Sequence, residues 1–170
     1  VDDFAPLTFF DTDGRFSGLV AQLLNLISQR SGLTFEVVRG QSLDRQVEQL
    51  RSGELDLLPV LTPSRERELE MRFTRSYANS PFVLITDLKA QAPRSLEEMA
   101  GKRLALYRGN PLREYLLEHV PQINLIELPS PADGMRALLD GRADATLSSL
   151  LVARYQIDHQ YRERLRIAST

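Results

Sequence analysis

The chain has 170 residues, 42% of them hydrophobic and 26% charged, with a formal net charge of −2. That balance belongs to a folded globular chain, not to a disordered one, and the absence of a basic excess argues against a dedicated nucleic-acid binder. Cysteine is absent and histidine occurs twice, at His119 and His159. Disulfides, thiolate metal sites and cysteine nucleophiles are therefore excluded, and a histidine-rich metal centre or a Ser-His-Asp triad is not expected. No apolar run reaches the length of a membrane span, and no basic-then-apolar leader opens the chain.

Taken in chain order, the first expected helix carries Val20, Leu23, Leu24 and Ile27 at helical spacing and stops at Gly32. Ahead of it, Asp11-Thr12-Asp13-Gly14 reads as a β-turn between Phe10 and Phe16. It superficially resembles the start of a calcium loop but lacks the remaining ligands, so no metal is assigned. Thr34–Val38 reads as a strand. Ser42 can cap a helix bearing Leu43, Val47 and Leu50, closed by Gly53. Strands follow at Leu55–Val60 and Phe82–Thr86. Ser95 and Glu98 fit a capping box. Arg103–Tyr107 is a strand, and Asn110-Pro111 starts a helix, with Asn as cap and Pro at the first helical position. Ile123–Leu128 is a strand. Ser130-Pro131 repeats the capping device ahead of Met135, Leu138 and Leu139, with Gly141 at the end, and Ala143–Leu147 is the last strand. Several strands are nearly continuous apolar runs, which suits burial on both faces, and strands alternating with helices predict βαβ units with parallel sheets.

A shift of 88 residues superposes these landmarks: Ser42 on Ser130, Val47 on Met135, Leu50 on Leu138, Gly53 on Gly141 and Asp56 on Asp144. Each copy reads helix, strand, capped helix, glycine turn, strand. The pattern predicts two similar α/β lobes, with residues near 77–88 crossing between them, and a cleft between two such lobes is a preferred place for a small-molecule site.

Several motifs carry a resemblance. Phe4-Ala5-Pro6-Leu7-Thr8-Phe9-Phe10-Asp11, followed by Asp13-Gly14-Arg15-Phe16-Ser17-Gly18, resembles the opening of the family 3 extracellular solute-binding proteins, the type II periplasmic "Venus flytrap" domains. Leu61-Thr62-Pro63-Ser64-Arg65-Glu66-Arg67, Phe73-Thr74-Arg75-Ser76-Tyr77, Gly101-Lys102-Arg103-Leu104, Gly109-Asn110 and Gly141-Arg142-Ala143-Asp144-Ala145 are similar to later family segments, in the right order. The Leu-Thr-Pro, Arg-Phe-Thr-Arg-Ser-Tyr, Pro81-Phe82-Val83-Leu84 and Gly-Asn-Pro segments more closely resemble the periplasmic sensor domains of BvgS/EvgS-like hybrid histidine kinases. The resemblance implies an α/β fold of two lobes, 1–81 and 82–167, with 168–170 starting a return crossing. It also implies that lobe 1 is truncated at both ends, lacking its opening strand and its C-terminal return.

For the site, the resemblance places Arg67 where the family grips a ligand carboxylate, and a guanidinium offers a planar fork suited to two charge-assisted hydrogen bonds. Taken alone, Arg65-Glu66-Arg67-Glu68 reads as a solvated helix face. Ser64 and Thr62 precede it, where hydroxyls and amides ahead of a helix suit an anionic oxygen; Ser64 alone also reads as a plain cap. Asn110 begins the second-lobe helix, and because Pro111 has no N–H the amides on offer there are those of Leu112 and Arg113. Phe4 matches an aromatic that covers the ligand, or is a core aromatic. Tyr77 and Ser80 sit near the crossing. Ser149 stands where the family's amino-acid binders place an Asp against the ligand ammonium. A Ser cannot neutralise a buried ammonium, so the pattern points to a small carboxylate without one. No metal or cofactor is assigned.

The implied function is a periplasmic ligand-sensing domain of a two-component histidine kinase, signalling by lobe closure, with no catalysis in this domain. A small carboxylate or amino-acid-like solute is the expected partner, with a homodimer in the full-length receptor and no nucleic acid. Membrane attachment would come only through segments outside this chain. The competing readings are a free solute-binding protein of an amino-acid-type ABC transporter, a periplasmic dehydratase of the same fold, with Glu66 or Glu114 as its acid or base, and the effector domain of a transcription regulator.

Overall fold

The computed structural model describes residues 4–39 and 42–169. Val1, Asp2, Asp3, Gly40, Gln41 and Thr170 lie outside the described residues, and with them the expectation about where the chain opens. The fold divides into two compact units, Val1–Thr62 and Pro63–Thr170.

The first unit holds a hairpin and two helices. Strands β1 (Phe9–Phe10) and β2 (Phe16–Ser17) pair antiparallel across the expected turn. Asp11 builds that turn: its Oδ1 accepts from the amides of Asp13 and Arg15 at 3.0 and 2.8 Å. The acidic oxygens thus serve the turn itself. The rings of Phe10 and Phe16 meet at 5.8 Å, and the Arg39 guanidinium lies 4.2 Å above the Phe10 ring. Gly18 opens helix α1 (Leu19–Ser31) at φ 106°, and a Cβ there would stand 2.5 Å from the Leu7 carbonyl oxygen, so only glycine fits. Helix α2 (Leu43–Ser52) follows, and both helices end on left-handed glycines, Gly32 and Gly53, as their spacing predicts.

The two strands expected in this unit do not form. Residues 34–38 and 55–60 belong to no helix or strand. Leu33, Val37, Val38 and Leu57 are 57%, 44%, 53% and 43% exposed, so these apolar runs are not sheet core. The physical reason is that a strand is defined by its neighbour: its amides and carbonyls need a ladder partner, and neither run pairs with another described strand.

The second unit contains helix α3 (Arg65–Glu70) and a five-stranded sheet flanked by helices on both faces. The sheet comprises β3 (Phe82–Asp87), β4 (Arg103–Tyr107), β5 (Asn124–Leu128), β6 (Ala145–Ser149) and β7 (Leu165–Ser169), in the order β5-β4-β6-β3-β7. Strand β4 runs parallel to β5 and β6, whereas β3 is antiparallel to both β6 and β7. The expectation of parallel pairing thus holds for β4 with β5 and β6 and is corrected for β3. Strand β3 enters from the opposite direction because it arrives after a long irregular stretch and not through a βαβ crossover.

Alternation along β3 buries both faces. Val83 and Ile85 pack with Ala105, Met135, Ala137, Leu138, Ala153 and Leu165 on one side. Leu84 packs with Leu104, Leu106, Met99, Leu116, Val120 and Leu147 on the other. Helix α5 (Pro131–Leu139) covers the first face, and helix α4 (Arg113–His119) the second. Ser130 caps α5 reciprocally, accepting from the Asp133 amide at 3.2 Å and donating to its carboxylate at 2.8 Å. Gly134 lets α5 approach the sheet closely, since a Cβ there would lie 2.4 Å from Thr146 Oγ1.

Three local expectations are corrected. The Ser95/Glu98 capping box is replaced by a single 3-10 turn at Glu97–Met99, in which the Glu98 carboxylate accepts from the Arg94 amide at 2.9 Å. Helix α4 begins at Arg113, not at Pro111, because Asn110 closes a separate turn just before it. The last internal strand starts at Ala145, because Asp144 is taken up in a clamp. Its carboxylate accepts from the Arg103 amide at 2.8 Å and from the Arg103 guanidinium at 2.8 and 3.2 Å, while the same guanidinium donates to the Gly141 carbonyl at 2.9 Å. Helix α6 (Leu150–Gln156), the π turn at Ile157–Tyr161 and the strand β7 carry no signal strong enough to be expected.

Candidate functional site

Arg67 sits in the third position of α3, and its neighbours Arg65, Glu66 and Glu68 are exposed while it is only 9% exposed. A cationic side chain taken out of water alone within a solvated charge run needs a reason, because burying a charge is costly unless it is hydrogen-bonded. The Arg67 amide donates to Ser64 Oγ at 3.3 Å, so Ser64 is the cap of α3, and its Nη2 donates to the main-chain carbonyl of Gly109. The guanidinium thus reaches the loop that follows β4.

That loop is built from the end of β4. Tyr107, the last residue of the strand, is buried, and burial pushes its hydroxyl well above the ordinary tyrosine value while the nearby Arg67 charge pulls the other way. Next come Gly109, which accepts from Arg67, and Asn110, which is only 4% exposed. Asn110 Oδ1 accepts from the Leu112 amide at 2.9 Å, and the Asn110 carbonyl accepts from the Arg113 amide at 3.2 Å. The two amides expected to serve an anion are therefore both engaged within the chain, so Leu112 has no main-chain donor to spare. The Asn110 carboxamide nitrogen, by contrast, is buried and has no hydrogen-bond partner among the described residues.

Strands β4 and β6 are parallel neighbours, so their last residues, Tyr107 and Ser149, lie at the same end of the sheet. Ligands of open α/β sheets bind outside the carboxyl ends of the strands. Ser149 caps α6, its Oγ accepting from the Val152 amide at 3.5 Å, and Ser80 Oγ accepts from the Leu151 amide at 3.1 Å. At the end of β6 stands a serine, not an acid.

The second unit brings together Ser64, Arg67 and the Gly109–Leu112 loop. Tyr77 belongs to the same unit and is 51% exposed. Phe4 and Thr62 lie in the first unit, where Phe4 is half-buried in a turn closed by the Leu7 amide on its carbonyl at 2.8 Å, and Thr62 is exposed. Tyr107 and the Gly109 carbonyl escape a reading of motifs. The signal for Tyr107 is its position, a hydroxyl-bearing residue ending a parallel strand; a carbonyl acceptor leaves no trace in residue type. The cluster is rich in donors and can hold an anionic oxygen.

This arrangement, an α/β unit with a buried arginine at the carboxyl end of its strands, is that of a solute-binding domain. The model of the bacterial extracellular solute-binding proteins, family 3, matches residues 1–123, and the chain belongs to that family. The virulence sensor protein BvgS of Bordetella pertussis is 32% identical over 166 residues, which is 98% of this chain and 13% of BvgS. The sensor protein EvgS of Escherichia coli K12 is 25% identical over 160 residues, 94% of this chain and 13% of EvgS. The chain thus spans about an eighth of the length of these curated relatives. Among solved structures, the B. pertussis BvgS periplasmic VFT2 domain superposes with a TM-score of 0.85 at 32% identity, covering 97% of this chain and 70% of that one. An ancestral arginine-binding protein bound to arginine superposes with a TM-score of 0.91 at 20% identity, covering 99% of this chain and 75% of that one, and shares the fold. The chain is a periplasmic ligand-binding domain with the Venus flytrap fold, of the kind found in these sensor proteins. Among the described residues, no helix is long and apolar enough to cross a membrane.

Proposed function

We propose that this domain is the ligand-sensing part of a membrane-linked histidine kinase and binds a small carboxylate-bearing solute that lacks an ammonium group. The observation that carries the reading is Arg67: a buried guanidinium, in a family whose motif position implies a carboxylate grip, at the sheet end where Ser149 supplies no negative charge. The similarity to the two sensor proteins over nearly the whole chain supports the signalling context. Lobe 1 would comprise residues 1–81 and lobe 2 residues 82–167, with 168–170 starting the return crossing. A ligand held by both lobes would stabilise the closed form by its differential affinity for it, and closure would bias a kinase located elsewhere in the polypeptide. This domain itself would do no catalysis, and the full-length receptor would be a homodimer.

Calorimetry with simple carboxylic acids and with α-amino acids tests the reading. The acids bind, and Arg67→Ala weakens them by roughly tenfold to a hundredfold, the worth of a charge-assisted hydrogen bond. An Arg67→Ala variant of full affinity sinks the site, and tight binding of amino acids alone sinks the ligand class.

A further inference from the structure

The site just described contains one donor with nothing to bond. Asn110 is 4% exposed, and its Oδ1 is committed to the Leu112 amide at 2.9 Å. That bond fixes the orientation of the carboxamide, because an amide N–H must face an oxygen; the other terminal atom is therefore the NH2 group. This Nδ2 is buried without a hydrogen-bond partner among the described residues. A buried donor left unmade is costly, and each such group in a native fold calls for a partner. The preceding carbonyl, that of Gly109, carries the Arg67 guanidinium, so the orphan donor belongs to the residue next to the proposed carboxylate grip. The Leu112 and Arg113 amides are already satisfied and do not compete for the same ligand atom.

We propose that Asn110 is a specificity-determining residue whose Nδ2 donates to a second, neutral acceptor on the ligand, such as a carbonyl oxygen. The ligand class narrows accordingly, to small acids that carry an acceptor oxygen besides the carboxylate. This rests on the carboxylate reading of Arg67. A site built to donate to an acceptor discriminates strongly against analogues lacking it, because the donor is then left unpaired in the complex.

The test compares pentanoate with 2-oxopentanoate and 4-oxopentanoate by calorimetry, on the unmodified chain and on Asn110→Ser. Serine keeps a neutral oxygen able to accept from the Leu112 amide and removes the NH2 group. The unmodified chain binds at least one oxo acid about tenfold or more tightly than pentanoate. In Asn110→Ser the oxo acids weaken more than pentanoate does, so that the preference falls towards one, an outcome that a purely structural role for Asn110 would not give. Asn110→Asp, of nearly the same shape, keeps an oxygen for the Leu112 amide but replaces the NH2 donor, so it too lowers the preference for the oxo acids, and it serves if the serine variant does not fold. Equal binding of pentanoate and both oxo acids by the unmodified chain overturns the proposal, as does a preference untouched by either substitution. If none of the three acids binds, or if Arg67→Ala leaves their binding intact, the carboxylate reading itself falls and this proposal with it.

Discussion

Under the 88-residue shift, residues 34–38 fall on 122–126 and residues 55–60 on 143–148, so the two runs of the first copy overlap β5 and β6 of the second. In the second unit both segments are strands, with neighbours that complete their ladders. In the first unit neither run pairs with another described strand, and Leu33, Val37, Val38 and Leu57, in or beside them, are exposed. The helices of the two copies do not diverge in this way: α2 and α5 both form, each bounded by Ser and Gly. The difference teaches that a helix satisfies its own backbone and so needs only its local sequence and one buried face, whereas a strand borrows half of its hydrogen bonds from another segment. Asp56 and Asp144 show the same contrast for a side chain. Asp144 clamps Arg103 at the start of β4, whereas Asp56 makes no side-chain hydrogen bond among the described residues.

The contrast breaks if burial does not track stability. Leu104→Ala removes a fully buried side chain between β4 and the helices and costs about 2–5 kcal/mol, whereas Leu57→Ala, at a site 43% exposed, stays within about 0.5 kcal/mol. Urea denaturation measures both, and equal costs would show that the first unit hides Leu57 in a core of its own. Gly134→Ala sharpens the account of the second unit. Its Cβ would meet Thr146 Oγ1 at 2.4 Å, so it costs about 1–3 kcal/mol, and adding Thr146→Ala recovers part of the loss because the clashing oxygen is gone.

The smallest effect concerns the clamp. The Arg103 hydrogen bond holds the Asp144 carboxyl below its ordinary value of 3.8, against the opposing effect of burial. A depressed folded-state pKa adds stability that is fully present above the unfolded value and disappears as pH falls through the folded one. The stability gap between the unmodified chain and Asp144→Asn is therefore larger at about pH 6 than at about pH 3, as chemical denaturation at the two pH values would show. A gap independent of pH would mean that the clamp works through geometry alone.

Legibility followed the same division. Helices α1, α2 and α5 and strands β3 to β5 lie where periodicity and caps place them, because their signals are local. Helix α6 was hidden behind Ser148-Ser149-Leu150, where no Pro or acidic residue marks a start. In the site, Arg67 stood out through its motif, although its charge run alone reads as a solvated face. One partner of the buried side chain, the Gly109 carbonyl, lies 42 residues away in the chain. The Leu112 amide looked available because a helix beginning at Pro111 would leave it so; the separate turn made by Asn110 consumes it.

By itself, the sequence determined the α/β alternation, the Ser and Gly boundaries of the helices and the family to which the chain belongs, because spacing and turn chemistry act over a few residues. Tertiary structure alone decided which apolar runs became strands, that β3 runs antiparallel to its neighbours, and that Asn110 was left with a buried donor. Each of those depends on what a distant segment offers to a backbone or side-chain polar group, and hydrogen-bond partners of that kind are not written in local pattern.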